Sequence, residues 1–235
     1  MKKTPDTHDY TLLRAKFDAR LVGRVAPFVP RVDIRYYLCG IRVEAAGDRP
    51  GVYVVGCDGH QLMVAYDPQG MIENDDGNGI ILAMPPAFVR ACATQRKGGM
   101  PLDVLITGRR VSVAPGWGGM WSGSEIYVMP GVPFVPGRFP LWRKVLPDFS
   151  KLKPGMTNEV HAPYLARYAQ AVKGSKWGGP AVKLWQERHD GPVVVQFPGY
   201  PELVSVLMPM RDTWAAEEGL KRLQTVVDTR REEAA

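Results

Sequence analysis

Short apolar runs separated by polar, glycine-containing turns recur along this 235-residue chain. The clearest example is the segment 54–64, where two apolar runs flank the dipeptide Asp58-Gly59. Asp-Gly between apolar runs favours a β-hairpin, because glycine tolerates the positive φ of a tight primed turn. We therefore predict a hairpin here, with Cys57, Asp58 and His60 near its tip.

Three other segments have the apolar spacing of helices. In the first, over 10–25, Leu13, Phe17, Leu21 and Val25 follow one another at intervals of four residues, which matches the helical period. The second helix is predicted from Pro85 to about Arg96, and the third over 162–173. The polar segment 67–79 is predicted to be a loop.

Branched and aromatic residues mark the predicted strands. Together with the helices, these strands repeat as three β-α-β-β-β units, so we predict an α+β fold. Besides the two arms of the hairpin, the predicted strands cover 34–44, 80–83, 102–107, 110–114, 125–129, 159–161, 181–186, 193–197 and 203–208.

A proline-rich joint over 130–147 divides the chain. We predict one domain over 1–147, containing two units, and a single unit over 148–211. Beyond it, acidic residues in a first helical turn indicate a capped helix with one apolar face. The segment 212–235 is therefore predicted to be a C-terminal helix and tail.

Composition excludes several classes of protein. Apolar residues make up 45% of the chain and charged residues 23%, which is typical of globular proteins. No window approaches the roughly 20 apolar residues of a membrane helix, and no apolar run follows the first lysines as in a secretory signal. We therefore expect a cytoplasmic protein. Cys39, Cys57 and Cys92 are too few and too widely spaced for a disulfide framework.

The net charge of +6 is concentrated on the predicted helices. These helices contain no Glu, and Asp18 is their single acidic residue, whereas a merely solvated face normally mixes both signs. This bias favours a polyanion such as DNA as partner. The candidate DNA-binding residues are Arg14, Lys16, Arg20, Arg24, Arg90, Arg96, Lys97, Arg167, Lys173 and Lys176.

The residues of the hairpin tip invite a catalytic or metal-binding interpretation. Cys57 and His60 have the spacing of half a zinc site, but His161 and His189 are isolated and no second pair has suitable spacing. A Cys57–His60 nucleophilic pair has no evident group to orient it. The loop 74–79 lacks the ligand alternation and final Glu of a calcium loop. We therefore predict no enzyme activity, no metal and no cofactor.

Four segments, in this order, resemble the bacterial sliding clamp, the beta subunit of DNA polymerase III. They are 34–40 (IRYYLCG), 57–62 (CDGHQL), 137–147 (GRFPLWRKVLP) and 206–211 (VLMPMR). The resemblance covers the family's middle domain followed by the second half of its last domain, so this chain resembles a shortened clamp. It implies a DNA-clamp fold of three half-units, with basic helices on one face and antiparallel sheets on the other.

The resemblance also implies a pocket between the two domains that receives short peptide motifs of polymerases and repair proteins. Two rim positions depart from the family, because Cys57 stands where the family has Thr and Gln61 where it has Arg. The matching positions are Leu38, Cys57, Gly59, His60, Gln61, Leu62, Pro140, Val145, Val206, Met208, Pro209, Met210 and Arg211.

The leading hypothesis is a non-enzymatic processivity factor that docks peptides and holds double-stranded DNA without reading its sequence. If the family's ring of twelve half-units forms, three per chain imply a homo-oligomer of four chains. The alternative is a clamp mimic that encircles nothing and competes for clamp-binding partners. A hydrolase or metalloenzyme using Cys57, Asp58 and His60 is the third hypothesis. Whether a clamp loader acts on the assembly is left open.

Overall fold

The computed structural model describes residues 10–47, 49–94, 101–116, 125–156, 160–173 and 181–210. Its helices are α1 Ala19–Val25, α2 Pro86–Ala93 and α3 Ala162–Ala171, with 3-10 turns at Ala26–Phe28, Tyr36–Leu38, Trp142–Val145 and Phe149–Lys151. Its strands are β1 Arg14–Asp18, β2 Gly40–Ala45, β3 Val52–Cys57, β4 Gln61–Asp67, β5 Met71–Glu73, β6 Ile80–Ala83, β7 Leu102–Thr107, β8 Arg110–Pro115, β9 Tyr127–Val128, β10 Lys153–Pro154, β11 Lys183–Gln186, β12 Val193–Gln196 and β13 Leu203–Leu207.

The strands form two antiparallel sheets that are shared between the units. The small sheet has the order β5-β1-β7-β8-β9, and the large sheet has the order β10-β11-β12-β13-β4-β3-β2-β6. The first strand of the first unit therefore lies in the sheet of the second unit, and β4 of the first unit pairs with β13 of the third. This exchange joins the three β-α-β-β-β units into a continuous structure.

The inner faces of both sheets and the three helices share one apolar core, which we call the inner core. Phe17 on β1, Val22 on α1 and Phe88 on α2 are completely buried in it. Helix α1 contacts α2 and α3, so the helices form a layer on the inner side of the sheets. None of the helices in the described parts of the chain is long and apolar enough to span a membrane.

The outer face of the large sheet carries a second apolar group, which we call the outer cluster. Along β13 the side chains alternate, so that Leu203 and Leu207 enter the inner core while Val206 enters the outer cluster. Segment 133–147 packs over this face through Phe139 and Trp142. The buried members are Leu38, Ala46, Tyr53, Val55, Leu62, Val64, Ile81, Phe139, Trp142 and Val206.

The prediction of a single helix over 10–25 is wrong, because its first part is strand β1. Burial alternates along β1, with Ala15 and Phe17 completely buried between more exposed neighbours. That period of two is typical of a strand. The helix begins only at Ala19, where the Asp18 carboxylate caps it by accepting from the N–H of Arg20 at 2.8 Å.

Several other boundaries also differ from prediction. The strand predicted over 34–44 begins only at Gly40, after the turn Tyr36–Leu38. A Cβ at Gly40 would lie 2.7 Å from the carbonyl oxygen of Leu82 on the neighbouring strand, so this pairing needs glycine. Strand β5 lies within the predicted loop 67–79, and it is held by pairing with β1.

The third unit begins with a strand at a different place from the predicted 159–161. Val160 and His161 have no strand structure, and His161 instead precedes the first turn of α3. The first strand is β10, which pairs with β11. Helix α2 ends at Ala93 because Thr94 has extended backbone, so this helix is shorter than predicted. Strands β6 and β7 have the predicted limits, and the predicted C-terminal helix lies outside the described residues.

Candidate functional site

The tip of the β3–β4 hairpin is fixed by hydrogen bonds of its own backbone and of one carboxylate. The N–H of Asp58 donates to the carbonyl of Gln61 at 3.2 Å, so the two tip residues are Gly59 and His60, one position later than predicted. Gly59 supplies the positive φ, at 91°. The Asp58 carboxylate accepts from the N–H groups of His60 and Gln61 at 2.8 and 2.7 Å. The tip therefore holds a defined conformation.

Arg35 braces the tip from the preceding segment. Its guanidinium donates to the carbonyl oxygen of Asp58 at 3.0 Å and is held by Asp33 at 2.9 Å. A Cβ added to Gly59 would lie 2.5 Å from Nη1 of Arg35. Gly59 is therefore required for its φ, whereas the arginine could accommodate a Cβ by moving the end of its flexible side chain.

Helix α3 of the third unit holds the same tip from the inner side. Arg167 pairs with the carboxylate of Asp58 and donates to Oε1 of Gln61 at 3.1 Å. The Gln61 amide then donates to the carbonyl of Tyr164 at 3.1 Å. Asp58 and Gln61 are both buried, so these contacts are shielded from water. Parts of the chain more than 100 residues apart are joined at this point.

Two aromatic contacts surround this network. The His60 ring stacks on Tyr164 with 5.8 Å between ring centroids, and His161 meets the same tyrosine edge-on at 4.9 Å. The guanidinium of Arg167 lies 5.3 Å from the Tyr164 ring. His60 is therefore positioned against α3 by ring packing.

The apolar residues predicted for the pocket meet on the outer face of the large sheet. Cys57 pairs in register with Leu62, and Leu62 pairs with Val206. Leu38 belongs to the same outer cluster. The N–H of Met208 donates to the carbonyl of His60 at 2.9 Å, which brings the segment after β13 beside the hairpin tip.

The remaining predicted pocket residues differ in their exposure. Pro140 and Val145 are exposed on the segment that covers the outer cluster, and Met210 is 43% exposed beyond β13. Gln61 is buried, so its side chain serves the Arg167 network and is not part of a solvent-exposed rim. Pro209 is half-buried, and Arg211 lies outside the described residues.

Catalytic chemistry at Cys57 is not favoured by its environment. Burial raises the pKa of the Cys57 thiol, and the N–H of Gly59, which donates to Sγ at 3.3 Å, offsets only part of this effect. A raised pKa keeps the thiol protonated, and the thiolate is the reactive form. Within the described ranges no group of three or more potential metal ligands occurs.

The predicted DNA-binding residues do not form one set. Arg14 and Lys16 lie on β1 and not on a helix, and Lys16 is 3.7 Å from Asp103 on the neighbouring strand. Strand alternation places both on the face opposite Phe17, away from the helical layer. Their prediction as helical residues is therefore wrong. Arg96, Lys97 and Lys176 lie outside the described residues.

Three of the predicted cations on helices have partners within the protein. Arg24 donates to the carbonyls of Ala171 and Lys173 at 2.6 and 3.2 Å and lies over the ring of Tyr200. It thereby caps the end of α3, just as Arg167 binds the hairpin tip. Arg20, Arg90 and Lys173 are exposed, although Arg20 also binds Asp18.

Sequence reasoning missed the structural role of Arg35, Tyr164 and Arg167. A local signal existed for Arg35, since Asp33 and Arg35 have the spacing of a turn-forming pair. No local signal existed for Arg167, because its partner Asp58 is 109 residues away.

Solved bacterial sliding clamps have the same architecture. A DNA polymerase sliding clamp from Pseudomonas aeruginosa aligns with 90% of this chain and 69% of its own, with a TM-score of 0.61 and 16% identity. The C. crescentus beta sliding clamp aligns over 90% and 68%, with a TM-score of 0.56 and 17% identity. The H. pylori beta clamp bound to a DNA ligase peptide aligns over 86% and 66%, with a TM-score of 0.59 and 12% identity.

These likenesses define the class of fold. The two antiparallel sheets with an inner layer of helices form a sliding-clamp fold, as predicted. The chain spans about two thirds of the length of these clamps. No protein-family model and no curated protein sequence matches it.

Proposed function

We propose that this chain is a shortened, clamp-type accessory protein of DNA replication or repair, without enzymatic activity of its own. Its outer face docks short peptide motifs of polymerases and other replication or repair proteins. The observation that carries the proposal is the meeting of the segments 57–62 and 206–210, through the Leu62–Val206 pair and the Met208–His60 hydrogen bond. The fold similarity to clamps, one of them holding a DNA ligase peptide, supports it.

The proposed docking surface has the physical character that peptide recognition needs. Its floor is apolar and buried at Leu62 and Val206, and two other predicted pocket residues, Met210 and Val145, are exposed. Apolar anchors in a desolvated centre supply most of the affinity of such interfaces. Methionine adapts to ligands of different shape, which suits a protein with several partners.

The test is a fluorescence-anisotropy titration with a labelled DNA ligase peptide. Met210→Ala is expected to weaken binding about ten-fold, because exposed methionine contributes its burial energy only in the complex. The matched control is Met71→Ala on β5 of the small sheet, where the methionine is 37% exposed. Equal affinity of the two variants, or no binding by the parent protein, contradicts peptide docking at this place.

We further propose that the helical layer holds duplex DNA through phosphate contacts of Arg20, Arg90 and Lys173. A ring built from several copies of the chain, four if the clamp pattern of half-units is kept, would enclose the duplex. The expected result is DNA affinity that falls steeply with salt, together with a solution mass of a multimer. A monomeric mass over the full concentration range contradicts the ring.

A second candidate function is a clamp mimic that binds the same peptides without encircling DNA. The internal contacts of Arg24 and Arg167 favour it, because they leave fewer cations of the helical layer for phosphates. It predicts peptide binding by a monomer without salt-sensitive DNA binding. Measuring both affinities on one preparation separates the two functions.

A further inference from the structure

An apolar row crosses the outer face of the large sheet and continues beyond the proposed docking surface. Each member is the register partner of the next on the adjacent strand, from β3 to β11. With neighbouring strands about 4.8 Å apart, the row is about 19 Å long. Its members are Cys57, Leu62, Val206, Val194 and Trp185.

A groove of about 240 Å³ lies at the Trp185 end of this row. Its floor is formed by strands β11 to β13, and one wall by the segment that contains Phe149 and Leu152. Pockets that take whole small molecules are usually larger, about 300–1,000 Å³. The groove therefore has the size for one side chain of a ligand. It is lined by Phe149, Leu152, Trp185, Val194, Gln196 and Val204.

The lining combines apolar contact with one oriented polar group. Phe149 is 52% exposed, so part of its ring faces solvent. The indole N–H of Trp185 donates to Oε1 of Gln196 at 3.2 Å, which fixes the carboxamide. Its NH₂ group is then available to donate to a backbone carbonyl of a ligand.

We propose that this groove is a second subsite, which takes an apolar or aromatic side chain of the peptide that docks over Leu62 and Val206. The inference rests on the proposed function. The supporting observation is that the floor of the groove is continuous with the floor of the docking surface. Val194 is the register partner of Val206, and Val204 packs against the outer cluster. Trp185 lies two strands from Val206 and three from Leu62, about 10–14 Å. An extended peptide covers this distance in about three to four residues.

Partners of this protein carry a second apolar anchor about three to four residues from the one that binds at Leu62 and Val206. Two anchors on one peptide add their burial energies while the entropy of association is lost once. Peptides with both anchors therefore bind more tightly than those with one.

The experiment compares labelled DNA ligase peptides by fluorescence anisotropy. One has its original length, and others are extended at either end by about four residues that finish in Phe or, as controls, in Ser. The proteins are the parent chain, Phe149→Ser, Trp185→Ala and the control Ile126→Ser beside the small sheet. Circular dichroism checks that each variant is folded. Ile126 is 39% exposed, so its substitution matches the loss of an exposed apolar side chain.

In the parent protein and Ile126→Ser, one of the two Phe extensions is expected to tighten binding about ten-fold over its Ser control. A ten-fold change is about 1.4 kcal/mol, which is within reach of one buried aromatic side chain. Phe149→Ser and Trp185→Ala should lose this gain and keep the affinity for the original peptide.

Binding of the original peptide without any gain from Phe overturns the second subsite and leaves the proposed function intact. A gain that persists in both groove variants overturns it as well. Failure of the parent protein to bind any of the peptides overturns the proposed function together with the subsite. A fall in solution mass on Phe149→Ser identifies the groove as an interface between copies of this chain, which also overturns the proposal.

Discussion

Strands β1 and β4 have equivalent positions, each between two partners of its own sheet, but their outer faces differ. On β1 the outer face carries Arg14 and Lys16, with Lys16 near Asp103. On β4 it carries Leu62 and Val64, which belong to the outer cluster. Both strands present apolar side chains to the inner core.

The outer faces of the two sheets differ in their need for cover. A polar outer face is satisfied by water, so β1 needs no cover. An apolar outer face must be covered, and segment 133–147 covers only part of the large sheet. The rest, toward β12 and β11, is the groove beside Phe149. This groove is the place where we propose that a ligand side chain binds.

The largest expected effect is on the inner face, which is apolar in both strands. Phe17→Ala on β1 removes a completely buried ring from the inner core and should lower the free energy of unfolding by about 3–5 kcal/mol. Lys16→Ala, one position earlier on the outer face, should change it by less than about 1 kcal/mol. Urea unfolding measures both. Similar losses for the two variants would contradict the assignment of β1 as a strand.

A smaller loss is expected on the outer face of β4. Leu62→Ala should cost about 2–4 kcal/mol, because Leu62 is buried between its register partners Cys57 and Val206. Its counterpart on the outer face of β1 is again Lys16. Urea unfolding of Leu62→Ala checks this prediction, and a loss as small as that of Lys16→Ala would show that the outer cluster contributes little to stability.

Arg167→Met tests the link between α3 and the hairpin tip of β4. The substitution leaves the buried Asp58 carboxylate without this partner, so we expect a loss of about 1–3 kcal/mol, reduced by the partial exposure of Arg167. Peptide affinity should fall as well, because His60 and Met208 lie at the same tip. Both changes are measured by urea unfolding and anisotropy.

The control for Arg167 is a double-mutant cycle with Asp58→Asn. The double variant should lose less stability than the sum of the single variants, since the two residues contact each other. If Arg167→Met instead leaves stability unchanged and weakens only salt-sensitive DNA binding, Arg167 is a DNA contact as the sequence predicted.

The smallest expected effect is the pH dependence of stability caused by Asp103, the β7 residue near Lys16 of β1. Burial raises the pKa of Asp103 above its ordinary value of 3.8, while Lys16 opposes this shift. The folded protein therefore binds this proton more readily than the unfolded chain, so the stability from Asp103 is full below about pH 4 and is lost as the pH rises through the raised pKa.

Asp103→Asn should remove this dependence. We expect the variant to be more stable than the parent protein at pH 7, by less than about 1 kcal/mol, and to differ little from it at pH 3. Urea unfolding at both pH values is the measurement. A parent protein that gains stability from this residue between pH 4 and 7 would show that the Lys16 ion pair outweighs burial.

Sequence patterns predicted the centre of the large sheet, from β3 and β4 to β12 and β13, better than the start of the small one. The β3–β4 hairpin contains the Asp58-Gly59 turn signal, and strands β3, β12 and β13 are rich in valine, which are local signals. Residues 10–25 misled because Leu13, Phe17, Leu21 and Val25 satisfy the helical period over their whole length. Residues 14–18 form a strand instead, because pairing of β1 with the distant β7 buries Ala15 and Phe17 on one face.

The sequence by itself determined the class of architecture and the β3–β4 hairpin, and it predicted the apolar residues of the proposed docking surface. These depend on local period, turn chemistry and side-chain type. The tertiary structure alone decided that Arg24 and Arg167 have internal partners, that Gln61 is buried, and that Val206 leads across the sheet to Trp185. These features depend on contacts between residues far apart in the chain. A buried polar or charged group must find a hydrogen-bonding or charged partner there, and an apolar side chain must be shielded from water.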